Sequence, residues 1–291
     1  MSSAPVDSSR TVSRRRLIGA ALLVGPLGAA WPGARAQADD ADGAALRAAI
    51  TAPHRSAANR ARDVFRHPYE TLRFFGLRPE HTVVEVSPGG GWYTEILAPY
   101  LRERGRLVAA HYARDAASES QRTGRARFEE KLAAAPALYD RTVVVTQPGP
   151  GHGFIGELAS GSADLVLTFR NIHNWIEAGH LEGSLRAFHA ALRPGGVLGV
   201  EEHRAVPGTS VEQMMRSGYV EQDWFVRQAQ AAGFVLDGAS EANANPRDTR
   251  DHPHGVWSLP PTLRGGEADR ARYVAIGESD RMTLRLLKPR G

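Results

Sequence analysis

From residue 82 onward the chain alternates short apolar runs with longer amphipathic segments, and the two patterns predict different elements. The runs TVVEV (82–86), RLVAAH (106–111), RTVVVTQ (141–147), ADLVLTF (163–169), GVLGVEEH (196–203), FVLDGAS (234–240) and MTLRLLKP (282–289) are short and rich in branched residues, and they predict strands. Between them, residues 92–104, 118–135, 180–193 and 219–233 space their apolar positions as helices do. Several of the strand runs are apolar throughout, which suits a parallel sheet covered on both faces. The predicted fold class is therefore α/β, a doubly wound, mostly parallel seven-stranded sheet of Rossmann-like type. Residues 39–77 read as an N-terminal helical extension, with Pro68 just inside a helix start, where its missing N–H costs nothing.

Two segments break the rhythm. PGPGHGFIGEL (148–158) has too many glycines for a helix, and residues 242–270 form a long loop rich in Pro, Asp and His. Loops of that length inside a compact domain are usually functional or disordered. Trp257 and Leu259 favour a lid.

The first 38 residues change the composition argument. Arg14, Arg15 and Arg16 precede an apolar stretch, Leu17 to Trp31, and an Ala-Gln-Ala site at residues 36–38, the layout of an export signal cleaved near Ala38. SRRRLI resembles a twin-arginine signal, so the expected location is periplasmic or secreted, with no stable membrane insertion after cleavage. This segment holds five arginines and one aspartate, hence the whole formal charge of +4, and the rest of the chain is balanced. No basic surface then argues for nucleic acid as a partner. The absence of cysteine excludes disulfides, thiolate metal sites and a cysteine nucleophile.

The chemistry concentrates in EVSPGGGWYTEIL (85–97), where three glycines follow the first strand. In an open α/β sheet a ligand binds beyond the carboxyl ends of the strands, and bare backbone there allows close approach. A dinucleotide fingerprint needs a third glycine where this chain has Thr94, and Glu85 is poorly placed for a pyrophosphate, so a nicotinamide oxidoreductase is disfavoured. A carboxylate at Glu85 would instead favour a cationic ligand.

The pattern Glu85, Ser87, Gly89, Gly90, Gly91 resembles the first motif of class I S-adenosylmethionine-dependent methyltransferases, with Ser87 in place of the motif's first glycine. ADLVLTFRNIHNW (163–175) resembles that family's fourth-strand motif and ALRPGGVLGVEEH (191–203) its fifth-strand signature. The likeness covers roughly residues 64–289, and the tail resembles a bacterial, often exported subfamily. It implies a methyltransferase-like domain over residues 78–291 with S-adenosylmethionine as cofactor and a small-molecule acceptor. His111 stands where the family usually has an acid for the ribose hydroxyls, and is expected to hydrogen-bond them. His173, on the loop after the fourth strand, is the expected base, because histidine titrates near neutral pH. Asn171 and Arg170 are expected to position the acceptor or the cofactor carboxylate, and His203 is the second candidate base. Trp92, Tyr93, Trp175 and Trp224 are available as aromatic walls. Asp248, Asp251, His252 and His254, with His152, have the chemistry of divalent-metal ligands, but no metal is expected there. The alternative function is an exported, non-catalytic ligand-binding protein that retains the fold. The acceptor's identity and the oligomeric state are not legible.

Overall fold

The structure, a computed structural model, describes residues 32–267 and 269–290. Of the expected export signal, residues 1–31 lie outside the described residues, and residues 32–38 are the first turns of a helix, α1 (Pro32–Thr51). Among the described residues no helix is long and apolar enough to cross a membrane. Residues 39–291 form one compact unit.

Three short helices follow α1: α2 (Ala57–Arg60), α3 (Asp63–Arg66) and α4 (Pro68–Phe74). The alternating part then runs β1 (Thr82–Val86), α5 (Thr94–Leu101), β2 (Arg106–His111), α6 (Glu119–Ala134), α7 (Pro136–Tyr139), β3 (Val143–Thr146), β4 (Ala163–Phe169), α8 (Ile172–Glu177), α9 (Leu181–Ala191), β5 (Leu192–His203), α10 (Val211–Ser217), α11 (Gln222–Ala231), β6 (Val235–Ser240), α12 (Arg270–Ile276) and β7 (Arg281–Leu287). The seven strands form one sheet in the order β3-β2-β1-β4-β5-β7-β6. Pairing is parallel from β3 through β5, and β7 runs antiparallel to both of its neighbours.

Strand side chains alternate between faces, and the core divides accordingly. Val83, Leu107, Ala109, Leu165 and Leu167 pack with Leu72, Phe75, Ile96 and Phe128, from α4 to α6. Val84, Val86, Val108, Val166 and Val200 pack on the other face with Leu185, Phe188 and Phe225, from α9 and α11. With β2 on one side of β1 and β4 on the other, successive connections leave the middle of the sheet in opposite directions. The crevice this opens at the carboxyl ends of β1 and β4 is where a ligand binds in such sheets.

Three features of the fold bear on the site. The loop after β4 becomes the short helix α8, which puts His173 on a helix. The RPGG turn does not stand apart from the fifth strand: β5 starts at Leu192 and runs through it, with a register break against β4 between Ala163 and Leu165. The long segment 242–270 is anchored, with Asn243, Asp248, Val256 and Leu259 all buried.

Candidate functional site

The end of β1 makes the crevice floor. Ser87 N–H continues the ladder to Ala110 at 2.8 Å, and the chain then turns through Ser87 (φ 53°), Gly89 (φ 56°) and Gly91 (φ 80°) before α5. The left-handed region suits glycine and is strained for a serine. Ser87 Oγ donates to Gln147 Oε1 at 2.6 Å, a contact that fixes the turn against the end of β3. Arg170, at the end of β4, is a second strained residue (φ 61°), and its N–H bonds Glu201 O at 2.7 Å. A Cβ added at Gly89 or Gly90 would meet no atom within 4 Å. That bare backbone faces open space.

Two cavities meet at Ser87 and Asn171. One, of about 310 Å³, lies over the ends of β2 and β3 and is lined by Tyr112, Gln121, Gln147, His152 and Trp175. The other, of about 330 Å³, lies over Gly89 and Gly90 and is closed by Asn59, Arg62, Arg66 and Arg170.

The carboxylate expected to face a cationic ligand is turned away from both. Alternation along β1 puts Glu85 on the same face as Val83, against α5, where it is 2% exposed. Thr94 Oγ1 donates to it at 2.6 Å. Burial pushes its carboxyl up to about 7, against the opposing pull of Thr94 and Lys131. Thr94 is thus present where a dinucleotide motif has glycine because it is Glu85's partner. The selection of a cation by Glu85 does not hold.

His111 is also spent internally. Its Nδ1 accepts the Tyr112 N–H at 2.8 Å, so the proton sits on Nε2, which donates to Gly89 O at 3.3 Å. Burial lowers its pKa to about 4, and the neutral ring joins the end of β2 to the glycine turn. With both nitrogens engaged it cannot also hold ribose hydroxyls. Tyr112, Gln121 and Gln147 are the polar side chains left at that edge.

Asn171 holds strand ends together, its Nδ2 donating to Val86 O, Thr168 Oγ1 and Phe169 O at 3.2–3.3 Å. His173 is better placed for chemistry. Its Nδ1 lies 3.1 Å from Glu202 Oε1. A carboxylate only accepts, so Nδ1–H is the donor to Glu202 and Nε2 is the nitrogen left for a ligand. Glu202 is itself fixed by the Ile172 N–H at 2.5 Å and the His203 N–H at 2.9 Å. The His203 ring, 5.5 Å from that of His173, has its Nδ1 against Ser279 Oγ at 2.5 Å. Burial first, then the nearby His173, Arg281 and Arg170, hold its pKa well below the usual histidine range. It is a weaker candidate base than His173.

A third cavity, of about 250 Å³, opens beside these rings and is covered by the long loop, with Trp257, Pro260, Pro261 and Thr262 in its wall. Trp257, on the expected lid, faces His173 edge-on at 6.0 Å; of the proposed aromatic walls, Tyr93 is buried with its hydroxyl donating to Glu201 Oε2 at 3.1 Å. Trp224 packs against the core on the α11 side.

The loop residues considered as metal ligands do not form one group. Asp248 accepts from Tyr219 Oη at 2.9 Å and pairs with His252 Nε2 at 2.8 Å, a buried contact that anchors the loop. Asp251 bonds Thr249, and His152 lines the first cavity. The group of three among the described residues that can converge on a metal is His173, Glu202 and His203.

Residues that the sequence reading missed come from outside the strand ends. Asn59, Arg62 and Arg66 arrive from the N-terminal helices and Arg281 from the start of β7. The four-residue spacing of Arg62 and Arg66, one turn apart, was the available signal.

No protein-family model matches the chain, and no curated protein matches it in sequence. Solved structures do. An S-adenosylmethionine-dependent methyltransferase from Aquifex aeolicus is 14% identical, with a TM-score of 0.50, over 84% of this chain and 98% of that one. The [4+2]-cyclase SpnF is 15% identical, with a TM-score of 0.54, over 88% of this chain and 96% of that one. The fold is therefore the Rossmann-like one of class I S-adenosylmethionine-dependent methyltransferases.

Proposed function

We propose that this chain is an S-adenosylmethionine-dependent methyltransferase acting on a small molecule. The observation that carries the proposal is the unobstructed backbone at Gly89 and Gly90, set at the β1/β4 crevice of a sheet with this strand order. The residues present fit the cofactor. Tyr112, Gln147 and Trp175 would border the nucleoside, and Asn59 and Arg170 would surround the amino-acid end, where a guanidinium group suits a carboxylate. When bound, the cofactor supplies an electrophilic methyl carbon.

The chain's own part is positioning and proton removal. Glu202 orients His173, which leaves Nε2 to take a proton from an acceptor hydroxyl or amine in the third cavity. The Trp257 loop covers that cavity. We also propose that residues 1–38 export the folded protein by the twin-arginine route; replacing Arg14, Arg15 and Arg16 by lysine should then keep it in the cytoplasmic fraction.

Calorimetric titration with S-adenosylhomocysteine, S-adenosylmethionine and NAD tests the cofactor assignment. Heat with the two sulfur ligands and none with NAD is expected, and silence with both sulfur ligands at millimolar concentration removes the assignment. Binding without methyl transfer to any acceptor would favour the non-catalytic alternative, and SpnF, a [4+2]-cyclase on this fold, is a reminder that architecture alone does not fix the reaction.

A further inference from the structure

The third cavity carries more positive charge than its carboxylates balance. Arg62, Arg66, Arg170 and Arg281 all line it. Two buried carboxylates serve all four. Glu278 takes Arg62 Nε at 2.6 Å, Arg66 Nε at 3.3 Å and an Arg281 terminal nitrogen. Glu201 takes Arg170 at 3.0 Å and Arg281 at 3.1 Å. Glu202 stands on the other side of β5, occupied by two backbone N–H groups and His173, and even with it counted the cations remain in excess.

The imbalance has consequences within the protein. Glu278 is held down at about 2, because Arg281, Arg66 and Arg62 together outweigh the effect of its burial. Arg66 is lowered to about 9, first by burial and then by the neighbouring Arg170. Arg66 is 3% exposed and Arg281 1%, so water screens them poorly. Buried cations of this kind need partners. Planar guanidinium groups suit the oxygens of a carboxylate or phosphate. A divalent ion at His173, Glu202 and His203 would lie beside Arg170, Arg66 and Arg281, which argues against that use of the three side chains. With the neighbouring crevice taken as the donor site, an inference that rests on the proposed function, a methyl donor of net positive charge would raise the excess further.

We propose that this cavity anchors an acidic group of the methyl acceptor, so that the acceptor is an organic acid held by Arg62, Arg66 and Arg281 with its nucleophilic atom at His173.

The test is calorimetric titration of the full chain, saturated with S-adenosylhomocysteine, by 4-hydroxybenzoate, by its neutral counterpart 4-hydroxybenzyl alcohol, by inorganic phosphate and by zinc chloride. The acid should bind at least tenfold more tightly than the alcohol. Phosphate should compete with it. Arg62→Gln, at a side chain about a quarter exposed and so tolerant of change, should weaken the acid by roughly tenfold or more and leave the alcohol unaltered. Arg281→Lys is a second variant that keeps the charge but loses the fork, and should weaken the acid less than Arg62→Gln does. Equal affinity for acid and alcohol, or zinc binding abolished by His203→Ala with no acid binding, overturns the proposal. Acid binding in a protein that ignores S-adenosylhomocysteine would leave the anion site standing and remove the cofactor assignment, so the two failures are distinguishable.

Discussion

Replacing Glu85 by glutamine tests the claim that this residue is structural. The folded protein holds the carboxyl at about 7, against 4.5 for a solvated glutamate, because the side chain is buried against α5 with Thr94 as its donor. Between those two pH values the folded state keeps the proton while the unfolded chain loses it. The native form therefore binds more protons, and stability falls as pH rises through this window. Each factor of ten in proton affinity is worth about 1.4 kcal/mol, so the full penalty above pH 7 is about 3 kcal/mol. Glutamine resembles the protonated acid in shape, can still accept from Thr94, and has no charge to bury. Urea unfolding of both proteins from pH 4.5 to 8 should show Glu85→Gln gaining on wild type by about 2–3 kcal/mol across the range, with most of the gain between pH 5 and 7. Parallel profiles would refute the reasoning, since they would mean that Glu85 titrates alike in both states. A variant that loses ligand affinity without the pH effect would restore Glu85 to the ligand.

Other expectations follow from the same contacts. Gly90→Ala should unfold within about 0.5 kcal/mol of wild type, because its Cβ meets nothing in the protein, yet bind S-adenosylhomocysteine at least tenfold more weakly; unchanged affinity by calorimetry would place the ligand elsewhere. Ser87→Val should cost about 1–3 kcal/mol in urea unfolding, since a β-branched residue tolerates φ 53° poorly, whereas Ser87→Gly should cost less. His173→Ala should reduce turnover by roughly 10²–10⁴-fold while leaving S-adenosylhomocysteine affinity intact, and unchanged turnover would discard it as the base. Tyr219→Phe removes a donor from buried Asp248 and should destabilise by about 1–3 kcal/mol, read as a lower urea midpoint.

The sheet was legible because its strands are apolar runs of the right length: 82–86, 106–111 and 163–169 were bounded as the structure has them. The antiparallel seventh strand was not, because the direction of a strand leaves no mark in its own pattern. Glu85 was misread for a different reason. The glycine turn drew attention to what lies beyond the strand, while alternation alone already paired Glu85 with Val83 on the helix-covered face. His111 was placed correctly at the end of β2, but its bonds to Gly89 and Tyr112 depend on a turn geometry that spacing does not give. The strand-end candidates Arg170, Asn171, His173 and His203 are adjacent in space because parallel strands deliver their carboxyl ends to one edge. Arg62 and Arg66 leave only a one-turn spacing in the sequence and Arg281 leaves no mark, since only the packing of the N-terminal helices and of the β7 entry brings them to the same edge.

The most direct test of the whole account is a crystal structure of the protein with S-adenosylhomocysteine. The ligand should lie across Gly89 and Gly90, with its nucleoside toward Tyr112 and Gln147 and its carboxylate toward Asn59 and Arg170. A crevice left empty under saturating ligand, or the ligand bound at another surface, would contradict it.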